Sequence, residues 1–150
     1  MSYYVKNEIN GNVFIDLNVY TNNTVNSVYL KEIANEIIIS EIGASLTNNS
    51  KKADTSIVIY FSNISFIALE YDVQGYVKLY RTTVHIKFNY KNKEHKIRRL
   101  LNVSASHDYF VDESSIITDL KKEESIKIAT RKALSEIFSK VGTESLRYNK

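Results

Sequence analysis

The chain contains no cysteine, no proline and no tryptophan, and only four glycines among 150 residues. Without cysteine there is no disulfide framework, no thiolate metal site and no cysteine nucleophile. Without proline, and with so few glycines, long regular elements with few sharp corners are expected. No apolar run approaches the ~20 residues of a membrane helix. The opening "MSYYVKNEIN" lacks the apolar centre of a signal peptide. A cytosolic chain, or one whose export signal has been removed, is consistent with that opening.

What is present describes an ordinary globular protein of one domain, residues 1–150, with flexible ends expected at 1–10 and 143–150. Hydrophobic residues make up 43% and charged residues 25%, and the formal net charge is +3. That balance permits an anionic partner without requiring one.

Period two marks the first strand: Val13, Ile15, Leu17 and Val19 alternate with Asp16 and Asn18. The pattern then changes to a helix, with Leu30, Ile33, Ala34, Ile37 and Ile38 on one face and Gly43 as its C-terminal cap. "ASLTNNSKKAD" reads as a loop. Thr55 to Leu69 is rich in β-branched and aromatic residues, and both faces are apolar from Ile57 to Phe61, as in a central strand. From Gly75 to Tyr90, Tyr76, Tyr80, Val84, Ile86, Phe88 and Tyr90 share one face. Arg81, Thr83, His85, Lys87 and Asn89 share the other, which predicts a strand with one wet face. A fourth strand has Ile97, Leu101, Val103 and Ala105 in phase. A second helix carries Ile126, Ala129, Thr130, Ala133, Leu134, Ile137, Phe138 and Val141 as a stripe; it starts between Ser114 and Glu123 and stops at Gly142.

The order β-α-β-β-β-α predicts an α+β two-layer sandwich: a four-stranded, mainly antiparallel sheet with both helices on one face. The long hairpin "FIALEYDVQGYVKLYRTTVHIKF" stands out, with Glu70, Tyr71, Asp72, Gln74 and Tyr76 at its tip.

Catalytic chemistry finds little support. His85, His95 and His107 have no paired-ligand spacing, and no carboxylate completes a triad. Glu70 and Asp72 sit in a solvated turn. There is no phosphate-cradling glycine loop and no nucleophile elbow. No metal, no cofactor and no enzyme activity are expected. The basic run Lys91, Lys93, His95, Lys96, Arg98 and Arg99 suits phosphates, or a solvated turn beside a protected edge strand. Tyr71, Tyr76 and Tyr80 cluster near the hairpin tip, where tyrosine serves an interface or simply fills a strand.

The layout, the long hairpin and the ending "SSIITDLKKEESIKIATRKALSEIFSKV" resemble the lipopolysaccharide-assembly lipoprotein family LptE, from about Gly11 to Val141. The resemblance implies a non-enzymatic subunit, lipid-anchored on the periplasmic face of the outer membrane. It implies that the subunit plugs an LptD-like β-barrel and helps place lipopolysaccharide in the outer leaflet. The anchor cysteine of that family is absent from this sequence. Members carry a basic lipopolysaccharide contact near the hairpin tip and a lysine before the last helix. The tip here is acidic, so the contacts implied are Lys78 and Arg81 on the return strand and Lys121 and Lys122 before the helix. Glu70, Tyr71, Asp72, Gln74 and Tyr76 are the implied barrel-facing tip. The alternative reading is a cytosolic anion- or nucleic-acid-binding module using the turn at 91–99; under the family reading no nucleic acid is expected.

Overall fold

A computed structural model describes residues 12–19, 27–42, 45–93, 97–111 and 119–148. Its elements are β1 (Asn12–Val19), α1 (Ser27–Ile42), β2 (Ser45–Leu46), β3 (Thr55–Tyr71), β4 (Val77–Asn92), β5 (Ile97–Phe110) and α2 (Asp119–Tyr148), with a 3-10 turn at Ser50–Lys52. The α+β order is the expected one. The capping role given to Gly43 lies outside the described residues.

The sheet departs from the expectation in two ways. It is mixed, and it has five strands in the order β2-β1-β3-β4-β5. β1 runs parallel to β3, from Val13 beside Thr55 to Val19 beside Phe61. A helix separates these strands in sequence, and a crossover helix is what parallel neighbours require. The loop expected at "ASLTNNSKKAD" begins with the two-residue β2, parallel to β1. A second correction concerns α2, which passes through Gly142 to Tyr148. Glycine in a helix costs about 1 kcal/mol relative to alanine, too little to stop a helix of this length.

Backbone and side-chain bonds from Asp54 seat the start of β1. Its carboxylate accepts from Asn12 N at 2.8 Å, and its own N–H donates to the Asn12 carbonyl at 2.8 Å. The meander β3-β4-β5 is antiparallel, as expected from its short connections.

Alternation sorts the faces. Thr55, Ile57, Ile59 and Phe61 of β3 are buried, as are Thr82, Val84, Ile86, Phe88 and Tyr90 of β4. A bulge between Phe61 and Asn63 shifts the β3 phase, so that Ile64 becomes the next buried residue. Both helices cover this face. Ile33, Ala34 and Ile37 of α1 join Ile126, Ala129, Ala133, Leu134, Ile137, Phe138 and Val141 of α2 in one core cluster. Phe138 meets Phe88 edge-to-face with centroids 6.0 Å apart. Arg131 and Lys127 of α2 reach Glu36 of α1, tying the helices together at the surface. The Arg131 guanidinium, then Lys127, holds the Glu36 carboxyl below its usual value.

Two consequences frame the site. The opposite sheet face carries neither helix. And the fully buried core stops at Ile64 and Thr82, so the last turns of the hairpin extend past the well-packed layer.

Candidate functional site

The hairpin tip is built by one aspartate and one glycine. Gly75 N donates to the Asp72 carbonyl at 3.0 Å, and Asp72 N donates to the Tyr76 carbonyl at 2.8 Å. Asp72 Oδ1 accepts from Gln74 N and Tyr76 N, each at 2.9 Å. Asp at the first and Gly at the last position of a four-residue turn is the expected chemistry. Gly75 has φ +88°, which side-chain-bearing residues adopt only with strain, although nothing stands within 4 Å of where a Cβ would lie. The acidic tip therefore has a structural reason: Asp72 satisfies turn N–H groups.

Around this turn the hairpin exposes apolar surface. Val73 is fully exposed, Tyr71 is 62% exposed, Tyr76 53%, Ile67 52% and Phe110 65%. Leu69 is also exposed, and Leu79 lies opposite Phe110 in the β4–β5 register. Exposed apolar side chains gathered at one end of a hairpin suit a contact surface. The sequence reading had passed over Ile67, Leu69, Val73 and Phe110. Alternation alone hides them: Ile67 reaches the open face, beside Arg81, only because of the Phe61–Asn63 bulge, and Leu69 stands at the next register shift, between Ala68 and Glu70.

The helix side of the same hairpin end is aromatic and basic. Lys122 Nζ lies 5.4 Å from the Phe66 ring centroid, in range of a cation–π attraction. Tyr80 stacks on Tyr109 at 6.0 Å, and His107 stacks on Tyr109 at 6.2 Å. Behind them Ser125 Oγ donates to the Lys122 carbonyl at 2.8 Å and lies 2.8 Å from Thr82 Oγ1. The Ser125 proton is thus committed, so Thr82 is the donor between the two hydroxyls. Burial pushes the Tyr109 phenol up, and the Thr82 and Ser125 hydroxyls pull it partly back.

The four expected cations do not share one face. Lys78 is exposed and stands at the register shift between the Glu70–Leu79 and Tyr71–Val77 pairs, whereas Lys122 is on the helix side, over Phe66. Lys121 is exposed in the first turns of α2. Arg81 is on the opposite, open face. Its Nε and Nη2 donate to the two Asp108 carboxylate oxygens at 2.7 and 3.0 Å. The Arg81 guanidinium, chiefly through these hydrogen bonds, holds the Asp108 carboxyl below its usual value. Arg81 offers a ligand only the donors that Asp108 leaves. Of the tip residues, Tyr71 and Tyr76 are exposed beside Glu70, and Gln74 is exposed in the turn.

The rest of the open face mixes polar side chains along β4 and β5 with Val58 and Tyr60 of β3 and the exposed Leu100 of β5. Thr83 and Ser106 share a hydrogen bond at 2.7 Å, and Ser104 pairs with His85 Nδ1. Around the bulge, Ser62, His85, Lys87, Asn102 and Ser104 line a shallow cavity of about 250 Å³. His85 and His107 are far from forming a metal cluster; none exists among the described residues. His95 lies outside the described residues.

The basic run near 91–99 is divided rather than concentrated. Lys91 sits beside Arg98 on the open face. Arg99 alternates to the helix face and is partly buried. Lys93 Nζ donates to the Ser50 and Lys51 carbonyls at 3.2 and 3.4 Å.

Known structures share this architecture at low identity. A neuraminyllactose-binding hemagglutinin homologue from Helicobacter pylori is similar with TM-score 0.62 and 12% identity, over 95% of this chain and 88% of that one. A hypothetical protein from Chlamydia trachomatis is similar with TM-score 0.50 and 10% identity, over 91% and 99%. The rare lipoprotein B from Shewanella oneidensis gives TM-score 0.47 and 12% identity, over 90% and 92%. At these identities the likenesses concern the fold alone. No curated protein matches in sequence. The family model for lipopolysaccharide-assembly proteins matches residues 15–141, from the first strand to the buried end of the α2 stripe. The chain belongs to the LptE lipopolysaccharide-assembly family.

Proposed function

We propose that this protein is a non-enzymatic subunit of outer-membrane lipopolysaccharide assembly, which plugs an LptD-like β-barrel and aids insertion of lipopolysaccharide into the outer leaflet. The observation that carries the reading is the family match over residues 15–141. The geometry supports it. An open sheet face of Ser, Thr, Asn, His and Lys side chains suits the polar interior of a barrel. The hairpin end offers apolar contact through Ile67, Leu69, Tyr71, Val73, Tyr76 and Phe110, and positive charge through Lys78, Lys121 and Lys122. A phosphorylated glycolipid presents both kinds of surface. In this reading Lys78, Lys121 and Lys122 make the phosphate contacts. Arg81 contributes from the far face while bound to Asp108. Glu70, Tyr71, Asp72, Gln74 and Tyr76 reach along the lumen.

The protein acts at the periplasmic face of the outer membrane and is anchored there through lipid on its native N-terminus. No helix among the described residues is long and apolar enough to cross a membrane. Among the described residues, the division of the basic run between two faces gives the nucleic-acid alternative no continuous surface.

Binding of purified lipopolysaccharide to single and triple Glu variants at Lys78, Lys121 and Lys122 tests the ligand contacts. The triple variant is expected to lose at least about tenfold in affinity, since charge-assisted contacts are worth roughly 1.5–3 kcal/mol each. Unchanged binding in the triple variant removes these lysines from the site.

A further inference from the structure

The edge of the sheet formed by β5 is long, and its direction of bonding can be read from two contacts. Val111 N donates to the Lys78 carbonyl at 3.0 Å, so odd-numbered positions bond towards β4. Lys132 Nζ donates to the Ser106 carbonyl at 3.2 Å from outside the sheet. Even-numbered positions therefore bond away from β4. The N–H and C=O groups of Leu100, Asn102, Ser104, Ser106 and Asp108 face outward along a strand of 14 residues. Among the described residues no strand pairs with that edge, and Lys132 bonds one of its carbonyls.

Proteins usually blunt such edges with proline, a bulge, short length or charge; here the outward positions carry opposite charges at Arg98 and Asp108, and Lys132 reaches the edge from α2. This chain has no proline. The β4–β5 ladder runs from Leu79–Phe110 to Asn92–Ile97 with no register shift, whereas β3–β4 has several. The edge is thus long, without a bulge in its ladder to β4, and able to accept another strand.

We propose that β5 pairs antiparallel with β5 of a second copy of this chain, about a two-fold axis through Val103, so that the two sheets become one. Outward-bonding positions must then oppose each other, which restricts the register to steps of two residues. With Val103 opposite Val103, Arg98 faces Asp108 of the second copy, Leu100 faces Ser106, and Asn102 faces Ser104. On the helix side Leu101 faces Ala105. Opposite charges directly across a ladder are favourable, and the Asp108 carboxylate keeps lone pairs beyond the two that accept from Arg81. A shift of one step sets Leu100 opposite Asp108 and Arg98 opposite Phe110. A shift the other way sets Arg98 opposite Ser106 and Leu100 opposite Ser104. Only the central register pairs these charges. A carbonyl oxygen has two lone pairs, so Ser106 O keeps Lys132 while accepting a strand N–H. The assembly closes at two copies, because the opposite sheet edge is the two-residue β2 and an isologous contact uses β5 up. The pairing is that of the free chain and does not rest on the barrel reading.

Sedimentation equilibrium of the full chain over a concentration series tests the pairing. A species of twice 17.3 kDa is expected. Ser104→Pro removes an outward N–H without touching the β4 ladder. It should keep a native circular dichroism spectrum and shift the mass to a single chain. Arg98→Asp and Asp108→Arg should each weaken pairing at least about tenfold, and the double variant should restore it. The register is read by oxidising an equimolar mixture of Asn102→Cys and Ser104→Cys chains. Random pairing would give the mixed disulfide at twice each homodisulfide, and the proposed register should raise it well above that ratio in a chain without other cysteine. A single-chain mass at every soluble concentration, a mass that grows without plateau, a dimer that survives Ser104→Pro, or a mixed disulfide no more than twice either homodisulfide each overturn the proposal.

Discussion

Asp108 and Thr82 show how differently two polar residues of one hairpin contribute. Asp108 is exposed and paired with Arg81 on the open face, so its contribution is mostly geometric, fixing a guanidinium across two strands. Its carboxyl is held below the usual value, chiefly by hydrogen bonding to Arg81. A depressed carboxylate pKa adds stability above the unfolded value near 3.9 and loses it as pH falls through the folded value. The stability difference between native protein and Asp108→Asn should therefore be small and constant at neutral pH, and should shrink in urea titrations taken into the acid range. Thr82 is fully buried and donates to Ser125. Ser125→Ala strands that donor and also removes the bond to the Lys122 carbonyl. It should cost about 1–3 kcal/mol, and Thr82→Val only about 1 kcal/mol, because the serine proton keeps its partner. Thermal or urea unfolding of both variants checks the order. None of these pairings was legible in the sequence. Thr82 and Ser125 lie on different elements, and only the packing of α2 on β4 brings them together.

At the scale of elements, hydrophobic periodicity carried most of the information. The α2 stripe, the alternation of β4 and the apolar centre of β3 each follow from residues that must be buried together. Three features were not legible for physical reasons. The parallel setting of β1 depends on the helix crossover and not on its own pattern. The two-residue β2 has too few residues to show a period. The run of α2 through Gly142 reflects tertiary packing around Val141 overriding a weak local preference. The hairpin turn is the element where local chemistry decides most. Gly75→Ala should cost about 1 kcal/mol through backbone strain alone, since space for a methyl is free. Hydrogen exchange at Gln74 and Tyr76 should speed up, while exchange at Phe61 and Val84 stays slow. A uniform increase would mean that the turn, rather than the sheet beneath it, holds the hairpin together.

On the scale of the whole molecule, one layer of helices leaves the other sheet face open, and the hairpin carries its exposed apolar end beyond the packed core. The resemblance to the LptE family was legible from element order and the last helix, and the match over residues 15–141 shows that membership. The candidate site was legible only in part. Lysines 78, 121 and 122 stand out as charges in a sequence, but the Asp108 partner that occupies Arg81 is invisible until β4 and β5 are paired. The apolar end formed by Ile67, Leu69, Val73 and Phe110 needed the β3 bulge, which sets its phase. The central claim is that this subunit occupies a barrel. The most direct measurement is affinity capture of the tagged full chain from its native outer membranes, with the retained proteins identified by mass spectrometry. A single LptD-like β-barrel, retained in equal proportion and lost when the open face is charge-reversed at Lys87 and Lys91, is the predicted result. Capture of the intact chain without any large barrel protein would contradict the account.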